Sequence, residues 1–97
     1  MLADQDWIIA SKRQIACDVG DEAVILHLDE GVYYSLNGVG ARVWQWLEQP
    51  RRFQELVDRV VGEFEVERER CQSDLQELMQ QLLAKQLVSV QAEAPEG

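Results

Sequence analysis

Histidine is nearly missing from this chain: His27 is the only one among 97 residues. That excludes a His-clustered metal site. It also leaves the serines Ser11, Ser35, Ser73 and Ser89 without a base beside them in sequence. Cysteine is scarce too: Cys17 and Cys71 lie far apart, in no metal-type spacing, and are expected to be free, buried, reduced thiols. There is no Cys-x-x-Cys, His-Glu-x-x-His or Gly-x-x-x-x-Gly-Lys motif. No apolar run approaches the ~20 residues of a membrane helix, and the polar, acidic start Met1–Trp7 does not resemble a signal peptide. A cytoplasmic location is expected. Bases are half as many as acids, nine against eighteen, for a net charge of −9. Nucleic-acid backbones need clustered Lys and Arg, and anionic membranes need a basic face; neither partner is expected. A cationic peptide is compatible with this balance. Carboxylates such as Glu63, Glu65, Glu67 and Glu69 crowd a connection and solvent faces, where charge runs are ordinarily just hydrated. No catalysis, metal or cofactor is expected.

What is present is a change of period. Gln14–Val19, Ala23–Leu28 and Val32–Leu36 are apolar or β-branched runs separated by Gly20-Asp21 and Asp29-Glu30-Gly31. They predict a three-stranded antiparallel meander. Trp7, Ile8 and Ile9 could pack as an extended arm. From Asn37, a good N-cap, the period becomes helical: Val39–Glu48, ended by Pro50. Phe53, Leu56, Val57, Val60, Val61 and Phe64 then follow the i, i+3, i+4, i+7 series of an amphipathic helix. A third helix spans about Glu69–Lys85, with Cys71, Leu75, Leu78 and Leu82 on its central face, and Leu87–Val90 is a short strand. Neither layer can bury its apolar face alone, so the class is α+β: a winged helix-turn-helix-like domain with a three-stranded sheet followed by three helices. One domain, 1–91, and a disordered tail, 92–97, are expected.

Two readings follow from this architecture. A helix-turn-helix suggests DNA binding, but the would-be recognition helix carries Glu67, Glu69, Asp74 and Glu77 beside Arg68, Arg70 and Lys85, the wrong balance for a groove. The other reading rests on Val32–Leu36, the last strand of the meander. If strand order follows sequence it is an edge, with no Lys or Pro to protect it. Either the N-terminal arm covers that edge, or an extended peptide adds to it as a further strand.

The segments VILHLDEGVYYSLN, GVGARVWQWL, FQELVDRVVGEFEVE and DLQELMQQLLAKQLV, within Val24–Val88, resemble the PqqD-like family, the recognition elements for precursors of ribosomally made natural products. YYSLNGVGARVW is the most specific block. The resemblance implies a non-catalytic domain that pairs the leader segment of a precursor with its third strand, in a groove walled by the third helix. It implies partners such as a leader peptidase, a cyclase or a radical-SAM enzyme, with lasso-peptide maturation preferred. Carried onto this chain, the peptide site comprises Val32, Tyr33, Tyr34, Ser35 and Leu36 on the strand. On the helix it comprises Asp74, Leu75 and Leu78, with Met79, Leu82 and Leu83. Met79 and Leu83 are expected on one flank of the helix, as an apolar anchor or as a widening of the core; Asp74 and Gln81 are on the other. Two positions depart from the family pattern. Arg52 replaces a Ser or Thr cap at the second helix, and Gln86 replaces a Gly after the third, at roughly 1 kcal/mol of left-handed strain.

Overall fold

The computed structural model describes residues 2–95. The chain runs β1 (Trp7–Ala10), β2 (Gln14–Val19), β3 (Glu22–His27), β4 (Tyr33–Asn37), α1 (Gly38–Trp46), β5 (Arg51–Arg52), α2 (Phe53–Glu63), α3 (Arg68–Ala84) and β6 (Val88–Gln91). The expected meander and three helices are all present, with ends shifted by one or two residues. Residues 92–95 carry neither helix nor strand, and the rest of the expected tail lies outside the described residues.

Strands β2, β3 and β4 form an antiparallel sheet in that order. Its two faces differ because side chains alternate. Ala23, Ile25 and His27 of β3 and Leu36 of β4 are buried toward the helices. His27 is a structural residue: its Nδ1 accepts hydrogen bonds from the N–H groups of Asp29 and Glu30, each at 3.2 Å, which closes the turn into β4. That pairing of a buried imidazole is its structural explanation.

The arm Trp7–Ala10 does not cover β4. It becomes the middle strand of a second antiparallel sheet, ordered β5-β1-β6. The wing strand expected after the helix pair is therefore paired to the N-terminal segment, with Ile8 opposite Val90 and fully buried. The arm also answers the missing cap on α2. Arg52 makes no side-chain cap. The free N–H groups of Phe53 and Gln54 instead donate to the carbonyls of Asp6 and Asp4, at 2.8 and 2.9 Å. Asn37 does occupy the N-cap position of α1, but its side chain makes no capping bond.

The core lies between the two sheets and the helices, built on Ile8, Ile25, Val43, Phe53, Leu56 and Leu82. Each such side chain contributes about 1.5–3 kcal/mol by leaving water. Helix α3 ends as the sequence requires: Gln86 takes the left-handed conformation, φ 59°. The N–H of Leu87 donates to Leu82 C=O and that of Gln86 to Leu83 C=O, at 2.9 and 3.0 Å, the double bond of a Schellman stop.

Candidate peptide-binding groove

The register of β3 and β4 decides which backbone groups of β4 are free. His27 N–H donates to Val32 C=O at 2.9 Å, so 27 and 32 form a hydrogen-bonded pair. Bonded and non-bonded pairs alternate in an antiparallel ladder. Ile25/Tyr34 and Ala23/Leu36 therefore bond, whereas Leu26/Tyr33 and Val24/Ser35 do not. The N–H and C=O of Tyr33 and Ser35 consequently point away from β3. Among the described residues no strand pairs with that side of β4.

Beside this edge lies a cavity of about 360 Å³. Leu36 forms its strand wall, Val39 and Gly40 of α1 its end, and Cys71, Leu75 and Leu78 of α3 its far wall. Val60 and Val66 close the base, and Arg70 and Asp74 stand at the polar rim. Gly40 leaves space between Leu36 and Leu78. A Cβ there would lie 3.4 Å from Leu36 Cδ2 and 3.9 Å from Leu78 Cδ2, within the cavity's own lining. Cys71 is 5% exposed. Burial pushes its thiol above the ordinary value, helped by the nearby Asp74 carboxylate and opposed by Arg68. Free thiol at neutral pH is therefore protonated and unreactive. The walls suit an aliphatic or aromatic side chain, and the exposed edge suits an extended backbone. Among the described residues no group of His, Cys, Asp and Glu could hold a metal ion, and no helix is long and apolar enough to cross a membrane.

The expected site residues divide. Ser35, Leu36, Asp74, Leu75 and Leu78 line the cavity together. Val32 and Tyr33 are exposed, before and at the start of the free edge. Tyr34 turns inward and its hydroxyl donates to Gln81 Oε1, while Lys85 Nζ sits 5.5 Å from its ring centre. Met79, Leu82 and Leu83 do not line the cavity. Met79 is 0% exposed and Leu82 is likewise core, while Leu83 is half-buried against it. The cavity is lined from the Asp74–Leu78 flank of α3, and not from the expected Met79/Leu83 flank, which packs into the core. The physical reason is the N-terminal arm. Gln76 exchanges two hydrogen bonds with the backbone of Leu2, at 3.1 and 2.7 Å, and Gln72 donates to Asp4 Oδ1 at 3.0 Å. The arm therefore occupies that side of the helix. Sequence reasoning missed Asn37, Val39, Gly40, Val60, Val66, Arg70 and Cys71 as lining residues. The small Gly38-Val39-Gly40 turn was the one available signal.

Solved structures share this fold. The structure titled "TbiB1 in Complex with the TbiA(beta) Leader Peptide" is 33% identical, with a TM-score of 0.78, over 90% of this chain and 99% of that one. A second, "Lasso peptide synthetase B1 complexed with the leader peptide", is 20% identical with a TM-score of 0.73 over 84% and 96%, and speaks to the fold alone. No curated protein sequence matches the chain. The family described as coenzyme PQQ synthesis protein D (PqqD) matches residues 22–88, more than half of the 97. By that match and by the relative at 33% identity, the chain belongs to the PqqD family.

Proposed function

We propose that this protein binds, without catalysis, the leader segment of a ribosomally synthesised precursor peptide, and presents it to a modifying or leader-cleaving enzyme. The observation that carries the reading is the free edge of β4 running alongside the apolar cavity. The leader adds antiparallel to Tyr33–Leu36, and its backbone pairs with Tyr33 and Ser35. One apolar leader side chain enters the cavity between Leu36 and Leu78. The acids of α3, Asp74 and Glu77, favour Lys or Arg nearby in the leader, and that part of the affinity weakens with salt. The relative solved with the TbiA(beta) leader supports the class of ligand, and a lasso-peptide pathway is the preferred setting. The non-catalytic reading rests on His27 being spent on backbone N–H groups. Winged-helix DNA binding draws no support from a chain of net charge −9.

The test is calorimetric titration of the leader peptide from the cognate precursor into wild type and Ser35→Pro. Proline removes the outward N–H of Ser35 without touching the β3 ladder. Affinity falls about tenfold, the worth of one good hydrogen bond and its register, while circular dichroism is unchanged. Wild type that binds no leader overturns the function. A folded Ser35→Pro protein with full affinity overturns strand addition to β4.

A further inference from the structure

One side of α3 runs along the groove from end to end. Arg70, Asp74, Leu78, Gln81 and Lys85 recur at three- and four-residue steps and so form one stripe. Arg70, Asp74 and Leu78 border the cavity beside Leu36. Gln81 accepts from the Tyr34 hydroxyl, and Lys85 Nζ lies over the Tyr34 ring, 5.5 Å from its centre. Helix and strand therefore run in opposite directions along the groove. Its charges are unevenly placed. At the cavity end Arg70 and Asp74 offset each other at 3.9 Å. At the Tyr34 end Lys85 is exposed and pairs with no acid among the described residues. Glu77, the acid nearest to it along the helix, is eight residues back, about 12 Å away.

We infer that Lys85 is a specificity-determining residue of the groove: it selects a leader with Asp or Glu two or four residues after the side chain that fills the cavity, and so fixes the leader's direction. This rests on the leader-binding reading and names the charge pattern of its ligand. Register gives the spacing. In an antiparallel pair, residues opposite each other share a sheet face. Leader residues opposite Leu36, Tyr34 and Val32 therefore face α3, and those opposite Ser35 and Tyr33 face the outer side of the sheet. The anchor sits opposite Leu36. The next leader side chains on the helix side stand two and four residues later, beside Tyr34 and Val32, at the end where Lys85 stands. Charge gives the sign, since an unpaired ammonium is complemented by a carboxylate. In a leader bound the other way round, the same acid would lie past Leu36, near Asp74. It would lose Lys85 and meet like charge.

The experiment is a double-mutant cycle read by calorimetry. Each Asp and Glu in the leader of the cognate precursor is replaced singly by its amide. Each peptide is titrated into wild type, Lys85→Gln and Lys85→Arg. Lys85 is exposed, so all three proteins fold, which melting curves check. The anchor is the apolar leader residue whose alanine replacement costs the most affinity. The amide of one acid, two or four residues after that anchor, binds wild type about fivefold more weakly, the scale of an exposed ion pair. Lys85→Gln weakens the unmodified leader by the same factor, and the two changes together cost no more than either alone. Lys85→Arg stays within about twofold of wild type. The loss shrinks in about 0.5 M salt, which a purely structural role of Lys85 would not produce. Full affinity of Lys85→Gln for the unmodified leader overturns the inference. So do additive losses, a coupled acid at an odd spacing or before the anchor, and a leader with no acid at either position. Wild type that binds no leader overturns the function as well, whereas leader binding indifferent to Lys85 leaves the function standing.

Discussion

The hydroxyl of Tyr34 on β4 donates to the side chain of Gln81 on α3, and so ties the two walls of the groove together at one end. Toward Leu36 the same walls separate around the cavity. The groove is therefore closed by a polar latch at the β4 start and open at the β4 end, which sets where a peptide side chain can enter.

Leu78 and Met79 are neighbours in sequence with opposite roles. Leu78 is half-buried and faces the cavity, whereas Met79 is wholly in the core. Leu78→Glu leaves a folded protein, since the carboxylate can reach solvent at the groove mouth. A bound peptide would desolvate that charge at a cost of several kcal/mol, and even 2–3 kcal/mol is roughly a hundredfold in affinity. Met79→Glu buries an unpaired charge, which unfolds the domain. Thermal melts and leader titration of both variants separate the cases; a folded Met79→Glu protein that fails only in binding would restore the Met79 flank as the site.

Gly40 trades helix stability for space. Its added Cβ would make ordinary contact with Leu36 and Leu78 at 3.4–3.9 Å, with no clash. Gly40→Ala thus raises stability by about 1 kcal/mol through helix propensity and narrows the cavity by a methyl group. The expected pair of results is a higher melting temperature and several-fold weaker leader binding. A stabilised variant with unchanged affinity would place the leader's apolar anchor elsewhere.

Gln86 holds a left-handed backbone that glycine adopts without strain. The Schellman bonds around it are already formed, so Gln86→Gly relieves strain without altering them. Glycine also loosens the unfolded chain, which takes back part of the gain. The net is a stabilisation of up to about 1 kcal/mol, read as a shift in urea midpoint. A lower midpoint would mean that the Gln86 side chain has a role of its own.

Much of this was legible from periodicity. The Phe53–Phe64 spacing placed α2 to within a residue, and the apolar, β-branched run Ala23–Leu28 placed β3, though so uniform a run does not say which face is buried. The left-handed stop at Gln86 was readable only through the family resemblance, which implies a glycine at that position. The N-terminal arm was not legible. Trp7-Ile8-Ile9 has no local signature that says which edge it joins, and its pairing with β6 spans almost the whole chain. That one uncertainty left Met79 and Leu83 open between anchor and core, since helical spacing gives the faces of α3 but not which neighbour covers each. Cys71 was read correctly as core, yet its second role as cavity lining depends on α1 arriving opposite it, which no local pattern reports.

The two cysteines make the groove measurable without a substitution. Cys71 lies buried in the cavity wall, as expected, whereas Cys17 is exposed rather than buried, because β2 is an edge strand and Cys17 sits on its outer face. Alkylation requires thiolate and access. Cys71 is short of both, because burial raises its pKa and limits its exposure to 5%. Iodoacetamide at pH 8 therefore modifies Cys17 first, and Cys71 only through transient opening of the groove. The raised pKa fixes the sign of the pH response: Cys71 labelling still climbs with pH above the ordinary thiol range, where an unshifted thiol has levelled off. Leader peptide seated against Leu75 and Leu78 covers that opening and slows Cys71 labelling several-fold, leaving Cys17 unchanged in the absence of a partner enzyme. Peptide mass mapping of the labelled sites, with and without leader, reads both rates in one sample. Protection of Cys17 with no effect at Cys71 would move the leader from the cavity to the outer face of the sheet.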